Sequence, residues 1–396
     1  MKVYAVISEF NPFHNGHKYL IDTLKNDGDS AVIAIMSGSF VERGDVAIID
    51  KYARAEAAVM CGVDLVLELP APWCFAGAQF FALGGVSVAN GLGIVDSLAF
   101  GSESGDTESL ISCAKNLSSS EFITALFTAQ STKRDVGIAS LRADVYEKLF
   151  GEKTHFGASN DILALEYIRA LKQLGSSIKP EAVKRIGEVY NSHELTDICS
   201  ASAIRRVLEP QISDFSRRDL SRYMPTESYE ILKREMNDGR VYSLGRLDTA
   251  VLSKLRCEGP YSLSDIMEVS SGIENRINHF ADGSRTISEL VTLSKNRHYS
   301  ESRLRRLLIA YLLGVTMRDV EVPPQFTAVL AANSRGRELL ALSRKRSSIT
   351  VLSKLSAANE VVDLDVSEQY ARHMRAERLA ELCCIGEPRR IGVVML

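Results

Sequence analysis

The run at residues 3–20, VYAVISEFNPFHNGHKYL, constrains this chain most: a β-branched apolar stretch passes through a short turn straight into a helix-patterned segment. KVYAVI has the length and composition of a strand buried on both faces, and HKYLIDTLKN continues with Tyr19, Leu20 and Leu24 at helical spacing. A strand feeding a helix through a tight turn is half of a βαβ unit. AVIAIM at 31–36, VDLVLEL at 63–69 and IVDSLAF at 94–100 read as further buried strands, each closed by a polar residue, Gly or Pro. The expected fold class is therefore α/β with a parallel sheet, whose ligand site lies outside the carboxyl ends of the strands.

The turn after the first strand carries His14, Asn15, Gly16 and His17. The first turn of a helix leaves backbone N–H groups unpaired and carries the positive end of the helix dipole, so an anion is favoured there. Two imidazoles add donors, and Gly16 lets a ligand approach the backbone. A His-x-x-His pair also occurs as surface decoration or as half of a metal site, and four residues leave these readings open.

A second segment, ICSASAIRR at 198–206, places Ser200 and Ser202 ahead of a helix bearing Arg205 and Arg206. Serines there bind either the helix's own N–H groups or a phosphate. Arg205, one turn after Ser202, can fork onto phosphate oxygens. The segment reads as an ordinary capped helix or as the second jaw of a triphosphate clamp. Between the two motifs, SGSFVERGDVAIIDKYAR brings Ser37, Gly38, Arg43, Asp45, Lys51 and Arg54 to the same rim. Lys51 and Arg54, three apart on a predicted helix, either hold a carboxylate or phosphate or line a solvated face.

HxGH after the first strand, with a later S-x-S-x-I-R, resembles the nucleotidylyltransferase superfamily of HIGH-type, Rossmann-like folds. The fuller strings SEFNPFHNGH, MSGSFVERGDVAIIDKYARAEAAVMCGVDLVLELP, LAFGSE, SNDILALEYIRAL and KRIG resemble the bacterial tRNA(Met) cytidine acetate ligase family over essentially the whole chain. Ser8 and Glu42 depart from that family's pattern, which has an apolar residue and a glutamine there, and SKNRHYS, read as helical, replaces a more basic string. The resemblance implies an enzyme that condenses acetate with ATP to acetyl-adenylate and pyrophosphate, then acetylates N4 of the wobble cytidine of elongator tRNA(Met). It implies His14 and His17 as catalytic phosphate contacts. The implied ATP site is Ile7, Ser8, Glu9, Phe10, Asn11, Pro12, Phe13, His14, Asn15, Gly16, His17, Lys18, Tyr19 and Leu20, with Gly101, Asn160 and Arg185. Ser200, Ser202 and Arg205 join it as the second jaw. From its position alone Asn160 reads as a helix N-cap, and Arg185, after a turn predicted at 177–180, equally as a surface ion pair. Mg2+ is expected to accompany the triphosphate, with no dedicated carboxylate cage and no other metal site.

With 396 residues, 45% hydrophobic and 24% charged, the chain can bury two cores. Glu209-Pro210 and the stretch around Pro225 break the periodicity, and helical patterns dominate beyond. The expected division is an ATP-binding nucleotidylyltransferase-like domain at 1–225 and a mostly α-helical, tRNA-binding domain at 226–396. Seven cysteines show no CxxC pair, and most sit among apolar neighbours; Cys199, beside Ser200, is the one candidate for reactivity. No apolar stretch of membrane-spanning length and no basic-then-apolar leader is present, so a cytoplasmic, soluble protein with no membrane partner is expected.

The formal net charge of −3 does not suggest RNA, but its distribution does: residues 295–346 hold eleven basic against four acidic side chains. In SESRLRRLLIAYLL the stripe Leu304, Leu307, Leu308, Tyr311 and Leu312 leaves Arg303 and Arg306 on the other face. Lys295, Arg297, Arg303 and Arg306 are the candidate tRNA contacts, with His298 and Tyr299 available to stack on an unpaired base. Such a charge run reads equally as solvated surface.

Two other functions fit parts of these motifs: a metabolite nucleotidylyltransferase, which needs only the first half of the chain, and a non-catalytic, ATP-sensing RNA-binding protein. For the proton released by the cytidine amine, His17, Asp45 and Asp50 are each conceivable acceptors.

Overall fold

In the computed structural model, which describes residues 1–26, 28–132, 136–151, 155–186, 200–208, 220–270, 272–353, 364–389 and 392–396, the first apolar run forms β1 (Lys2–Ser8) and HNGH opens α1 (Asn15–Lys25). There follow β2 (Ser30–Ser37), the short hairpin β3 (Phe40–Val41) and β4 (Asp45–Val46), α2 (Lys51–Met60) and β5 (Leu65–Leu69). Next come α3 (Ala78–Gly91), β6 (Ser97–Ser102), α4 (Thr107–Leu117), α5 (Ser120–Thr132), α6 (Ile138–Phe150), α7 (Ser159–Gln173), β7 (Lys179–Lys184), α8 (Ala201–Leu208) and α9 (Thr226–Asn237). The remainder holds α10 (Asp248–Glu258), α11 (Ile273–Ala281), α12 (Ile287–Ser294), α13 (Glu301–Leu313), α14 (Arg318–Glu321), β8 (Phe326–Ala332), α15 (Ser334–Ser343), β9 (Thr350–Leu352), α16 (Leu364–Glu381) and β10 (Val394–Met395).

The main sheet runs β10-β8-β5-β2-β1-β6-β7, with β9 on β8. Every pairing is parallel except β5 with β8. Alternate residues of β1 feed two cores: Val3 and Ala5 pack with α3 and α7, and Tyr4 and Val6 with α1 and α2. β2 repeats this, Ala31, Ile33 and Ile35 on one face and Val32, Ala34 and Met36 on the other. Burial on both faces is the reason these strands are apolar without alternation. β1 is the switch point, with β2 and β5 on one side and β6 and β7 on the other, and the crevice above its carboxyl end is where such a sheet takes its ligand.

The second half is mostly helical, as expected, and the strands it carries join the main sheet. β8 inserts beside β5 in antiparallel register, Leu65 opposite Ala332, and β9 and β10 extend from it. QFTAVLAA supplies the two-sided apolar strand that covers the β5 edge, so a division at 225/226 would cut through a single sheet. The helical character expected there comes from α9–α16, of which α10–α14 share a core with one face of the sheet. The turn predicted at 177–180 runs into β7, where Pro180 is tolerated because β7 is an edge strand. SKNRHYS is a loop closing α12 and leading to the Ser300 cap of α13, not a helix. Gly187, Ile198, Cys199, Glu209 and Pro210 lie outside the described residues.

Candidate active site

A cavity of about 400 Å³ opens at the carboxyl ends of β1, β6 and β7, within the range of about 300–1,000 Å³ usual for small-ligand sites. Of the expected residues it gathers Ile7, Ser8, Glu9, Phe10, Asn11, His14, Gly16, His17, Tyr19, Leu20, Gly101, Asn160, Arg185, Ser200, Ser202 and Arg205. The two distant loops therefore face one space. Pro12, Phe13, Asn15 and Lys18 are not on its wall: the Phe13 side chain is buried, Asn15 donates to the carbonyl of Arg222, and Lys18 pairs with Asp22. Sequence reasoning missed the apolar wall of Phe81, Phe100, Leu163 and Tyr167, whose helical and strand periodicity reads only as core.

The histidines are set by their own helix. His14 is the N-cap of α1; its Nδ1 accepts the Gly16 N–H at 3.0 Å, and His17 Nδ1 accepts the His14 N–H at 3.2 Å. The rings stack with centroids 3.8 Å apart. Burial, reinforced by Arg185 and Arg205, holds His14 down at about 3, and burial, then His14 and Arg185, hold His17 well below its ordinary value. Both rings are thus neutral, and with each Nδ1 lone pair engaged the ring proton resides on Nε2. They are neutral N–H donors rather than cations. The adjoining Phe10 adopts a left-handed φ of 44°, a strain stabilised by ring packing against Phe13 and His17.

Positive charge comes from the second jaw. Ser200 caps α8, its Oγ accepting from the Ala203 N–H at 3.3 Å and lying 3.0 Å from Ser202 Oγ. Arg205 Nη1 donates to the Asn11 carbonyl at 2.6 Å, tying α8 to the β1 loop. Arg185 follows β7 directly and lies beside Gly101, where an added Cβ would sit 3.4 Å from Arg185 Cγ. Asn160 is not an N-cap, since that position is Ala158; its Nδ2 donates to Glu103 Oε1 at 2.6 Å. A carboxylate only accepts, so the amide orientation is fixed and Oδ1 is left as the acceptor. Glu103 and Asp161 cross-bond each other's backbone N–H groups, at 3.0 and 2.9 Å, and lock β6 to the start of α7.

The opposite edge carries two carboxylates, Glu9 and Glu42, with Arg43 beside them. Glu9 Oε1 accepts the Glu42 N–H at 2.9 Å. Burial pushes the Glu42 carboxyl up, partly offset by Arg306, whose Nη1 reaches Glu42 Oε1 at 3.2 Å and the Glu42 carbonyl at 3.0 Å. Arg306 Nε also pairs with Glu268 at 2.6 Å. Gly44 (φ 68°) passes so close to α13 that a Cβ there would lie 2.4 Å from the Arg306 backbone N.

Several expected contacts prove structural. Lys51 is buried between Glu68 (2.7 Å) and Glu377 (2.9 Å), and buried Arg54 donates to the carbonyls of Glu9, Ser37, Gly38 and Ile49. Neither reaches the cavity wall; of the rim residues expected with them, only Arg43 does. Arg306 is 8% exposed and belongs to the bridge just described, because its place on α13 faces the loop after β3 rather than solvent. Arg303 donates to the Glu268 and His298 carbonyls and lies over the Tyr299 ring, and buried Tyr299 bonds the Ser270 carbonyl, so neither offers a free RNA-facing group. Lys295 and Arg297 are exposed, Lys295 paired with Glu301.

Among the described residues, Glu68, His373 and Glu377 are the group spaced to hold a metal ion. The chemistry does not fit one. Burial alone would lower the Lys51 ammonium, but Glu377 and Glu68 outweigh it, so a cation already occupies the centre. His373 Nδ1 accepts the Ala71 N–H at 3.3 Å, which puts the proton on Nε2, 3.5 Å from Glu68 Oε2. No described helix is long and apolar enough to cross a membrane.

A family model described as HIGH Nucleotidyl Transferase matches residues 1–388. The tRNA(Met) cytidine acetate ligase of Acetivibrio thermocellus is 37% identical over 396 residues, covering 97% of this chain and 95% of the relative. That of Thermoanaerobacter sp. is 36% identical over 369 residues, covering 91% and 90%. The crystal structure of Thermotoga maritima TmcAL bound with alpha-thio ATP superposes with a TM-score of 0.89 at 30% identity, and the apo form with 0.91 at 31%, each covering 100% of both chains.

Proposed function

Since this chain belongs to the HIGH nucleotidyl transferase family and, within it, groups with the tRNA(Met) cytidine acetate ligases, we propose that it activates acetate with ATP and acetylates N4 of the wobble cytidine of elongator tRNA(Met). It is a ligase, and its nucleotide is ATP. One observation carries the assignment of roles: the two neutral Nε2–H imidazoles and the guanidinium groups of Arg185 and Arg205 converge on one cavity at the sheet's switch point.

In the first step an acetate oxygen attacks the α-phosphorus and the bond to pyrophosphate breaks. Charge builds on the phosphoryl oxygens and the departing pyrophosphate, where fixed donors and Arg185 and Arg205 would stabilise it. Neutral imidazoles suit this task, because they donate without having to lose a proton. Gly101 and Asn160 would flank the nucleoside, with Ser200 and Ser202 on the phosphates. Mg2+ would arrive bound to the triphosphate, which supplies its ligands; Glu42, already paired with Arg306, forms no cage for it. In the second step the cytidine amine attacks the acetyl carbonyl and AMP leaves. tRNA would approach past the segment at 226–321, with Lys295 and Arg297 as its exposed candidate contacts, and a cytoplasmic setting suits that substrate.

The test is to mix the full chain with ATP, acetate and tRNA(Met). Pyrophosphate release that depends on acetate, with an acetyl-sized mass increase on one cytidine, is expected. Pyrophosphate release indifferent to acetate would refute the reading.

A further inference from the structure

Acylating an exocyclic amine releases a proton, and among the described residues the cavity wall has few groups able to take it. His17 is excluded, because its Nδ1 lone pair is engaged and its Nε2 is protonated. Asp50 caps α2, accepting from the Tyr52 and Ala53 N–H groups, and neither it nor Asp45 lines the cavity. Among the described residues the carboxylates on the cavity wall are Glu9 and Glu42. Glu42 is committed to Arg306. Glu9 spends Oε1 on the Glu42 N–H and interacts electrostatically with Arg43 on the same wall, which leaves Oε2 as its second acceptor oxygen.

From this geometry we infer that Glu9 is a catalytic residue, the general base of the acetyl-transfer step, an inference that rests on the ligase reading above. The Glu9 main chain is held from behind by Arg54 Nη1 on its carbonyl at 2.6 Å, and the next residue carries the left-handed φ of Phe10, so the carboxylate projects from a rigid corner. A carboxylate there repels acetate and phosphate, which makes it unsuited to the adenylation step. It complements an amine that becomes cationic as it attacks. In the step, the N4 lone pair forms the bond to the acetyl carbon, the C–O bond to the adenylate phosphate breaks with its electron pair leaving on AMP, and the N4 proton passes to the Glu9 carboxylate. The charged and titratable groups around Glu9 are Glu42, Arg43, Arg54 and Tyr167.

The experiment separates the two half-reactions in full-length wild type, Glu9→Gln and Glu9→Asp. Acetate-dependent pyrophosphate–ATP exchange reads adenylation, and single-turnover acetylation of tRNA(Met) reads transfer across pH. Glu9→Gln is expected to lower transfer about 100-fold, at least about tenfold more than it lowers exchange, and to abolish the acid limb of the transfer profile, with partial recovery in Glu9→Asp. Equal losses in both half-reactions, transfer at the wild-type rate, or an acid limb surviving in Glu9→Gln would overturn the assignment; the last two would point to the adenylate phosphate as acceptor. Absence of acetate-dependent exchange in the wild type would overturn the ligase reading, and this inference with it.

Discussion

The backbone N–H of His14 is held by Nδ1 of His17 at 3.2 Å, a contact that dictates which nitrogen of the second ring keeps its proton. The burial of His14 beside Arg185 and Arg205 has a separate consequence, for stability. An unfolded histidine takes up a proton below about pH 6.5, whereas folded His14 resists it down to about 3. The unfolded state therefore binds more protons between those values. Stability is undiminished above pH 6.5 and falls as pH drops through that window. Replacing His14 by Asn keeps an N-cap acceptor and removes the titration. Urea unfolding of both proteins at pH 7, 5.5 and 4.5 should show a steeper acid loss in the wild type; parallel losses would contradict the assignment.

Gly101 tests whether the cavity is a nucleotide site or an accidental crevice. An alanine Cβ there meets Arg185 Cγ at 3.4 Å, ordinary contact, so Gly101→Ala should cost less than about 1 kcal/mol of stability. Any ligand packed against that backbone would be displaced. ATP affinity by calorimetry should fall about tenfold or more, equivalent to about 1.4 kcal/mol, while thermal melting stays near wild type. Unchanged affinity would place the nucleoside elsewhere.

What was legible in sequence and what was not follows from distance along the chain. β1 and the HNGH turn could be read because burial on two faces and the cap of α1 are local properties. Ser200 and Arg205 could be read as a clamp, though only their resemblance to a known pattern joined them to His14. The roles of Lys51 and Arg306 could not be read. Their partners Glu377 and Glu42 lie 326 and 264 residues away, and a cation on a helix looks the same in sequence whether it faces water or a buried carboxylate. β8 was hidden for the same reason, since its antiparallel partner β5 lies some 260 residues earlier in the chain.

Lys51 makes that difference measurable. Burial would raise the Glu68 carboxyl, but Lys51 and His373 outweigh it and hold it below the usual carboxylate range, so removing the ammonium leaves two carboxylates, Glu68 1% exposed, without their counter-charge. Breaking a buried pair in this way costs about 3–5 kcal/mol. Lys51→Met should lower the midpoint of denaturant unfolding accordingly, and adding Glu68→Gln should recover part of the loss. At temperatures where the variant is folded, KM for ATP should stay close to wild type. A variant of normal stability with a raised KM would restore Lys51 to the substrate site.

The contact between Gly44 and α13 joins the cavity edge to the helical segment, and two glycines of similar backbone separate that role from ordinary strain. Gly44 (φ 68°) and Gly175 (φ 59°) both sit in the left-handed region, where an L-residue costs about 1–2 kcal/mol. At Gly175 an added Cβ meets open space, so Gly175→Ala should cost only that. At Gly44 it would come 2.4 Å from the Arg306 backbone N and 2.8 Å from the Arg305 carbonyl carbon, neither of which can swing aside. Gly44→Ala must therefore push the 42–45 loop off α13, stretch the Arg306–Glu42 bonds and shift the wall that Glu42 and Arg43 contribute. It should be destabilised by at least about 1 kcal/mol more than Gly175→Ala and should also lose acetyl transfer, whereas Gly175→Ala keeps it. Unfolding free energies and single-turnover transfer rates for the two variants decide the matter, and equal behaviour would mean that α13 does not support the site.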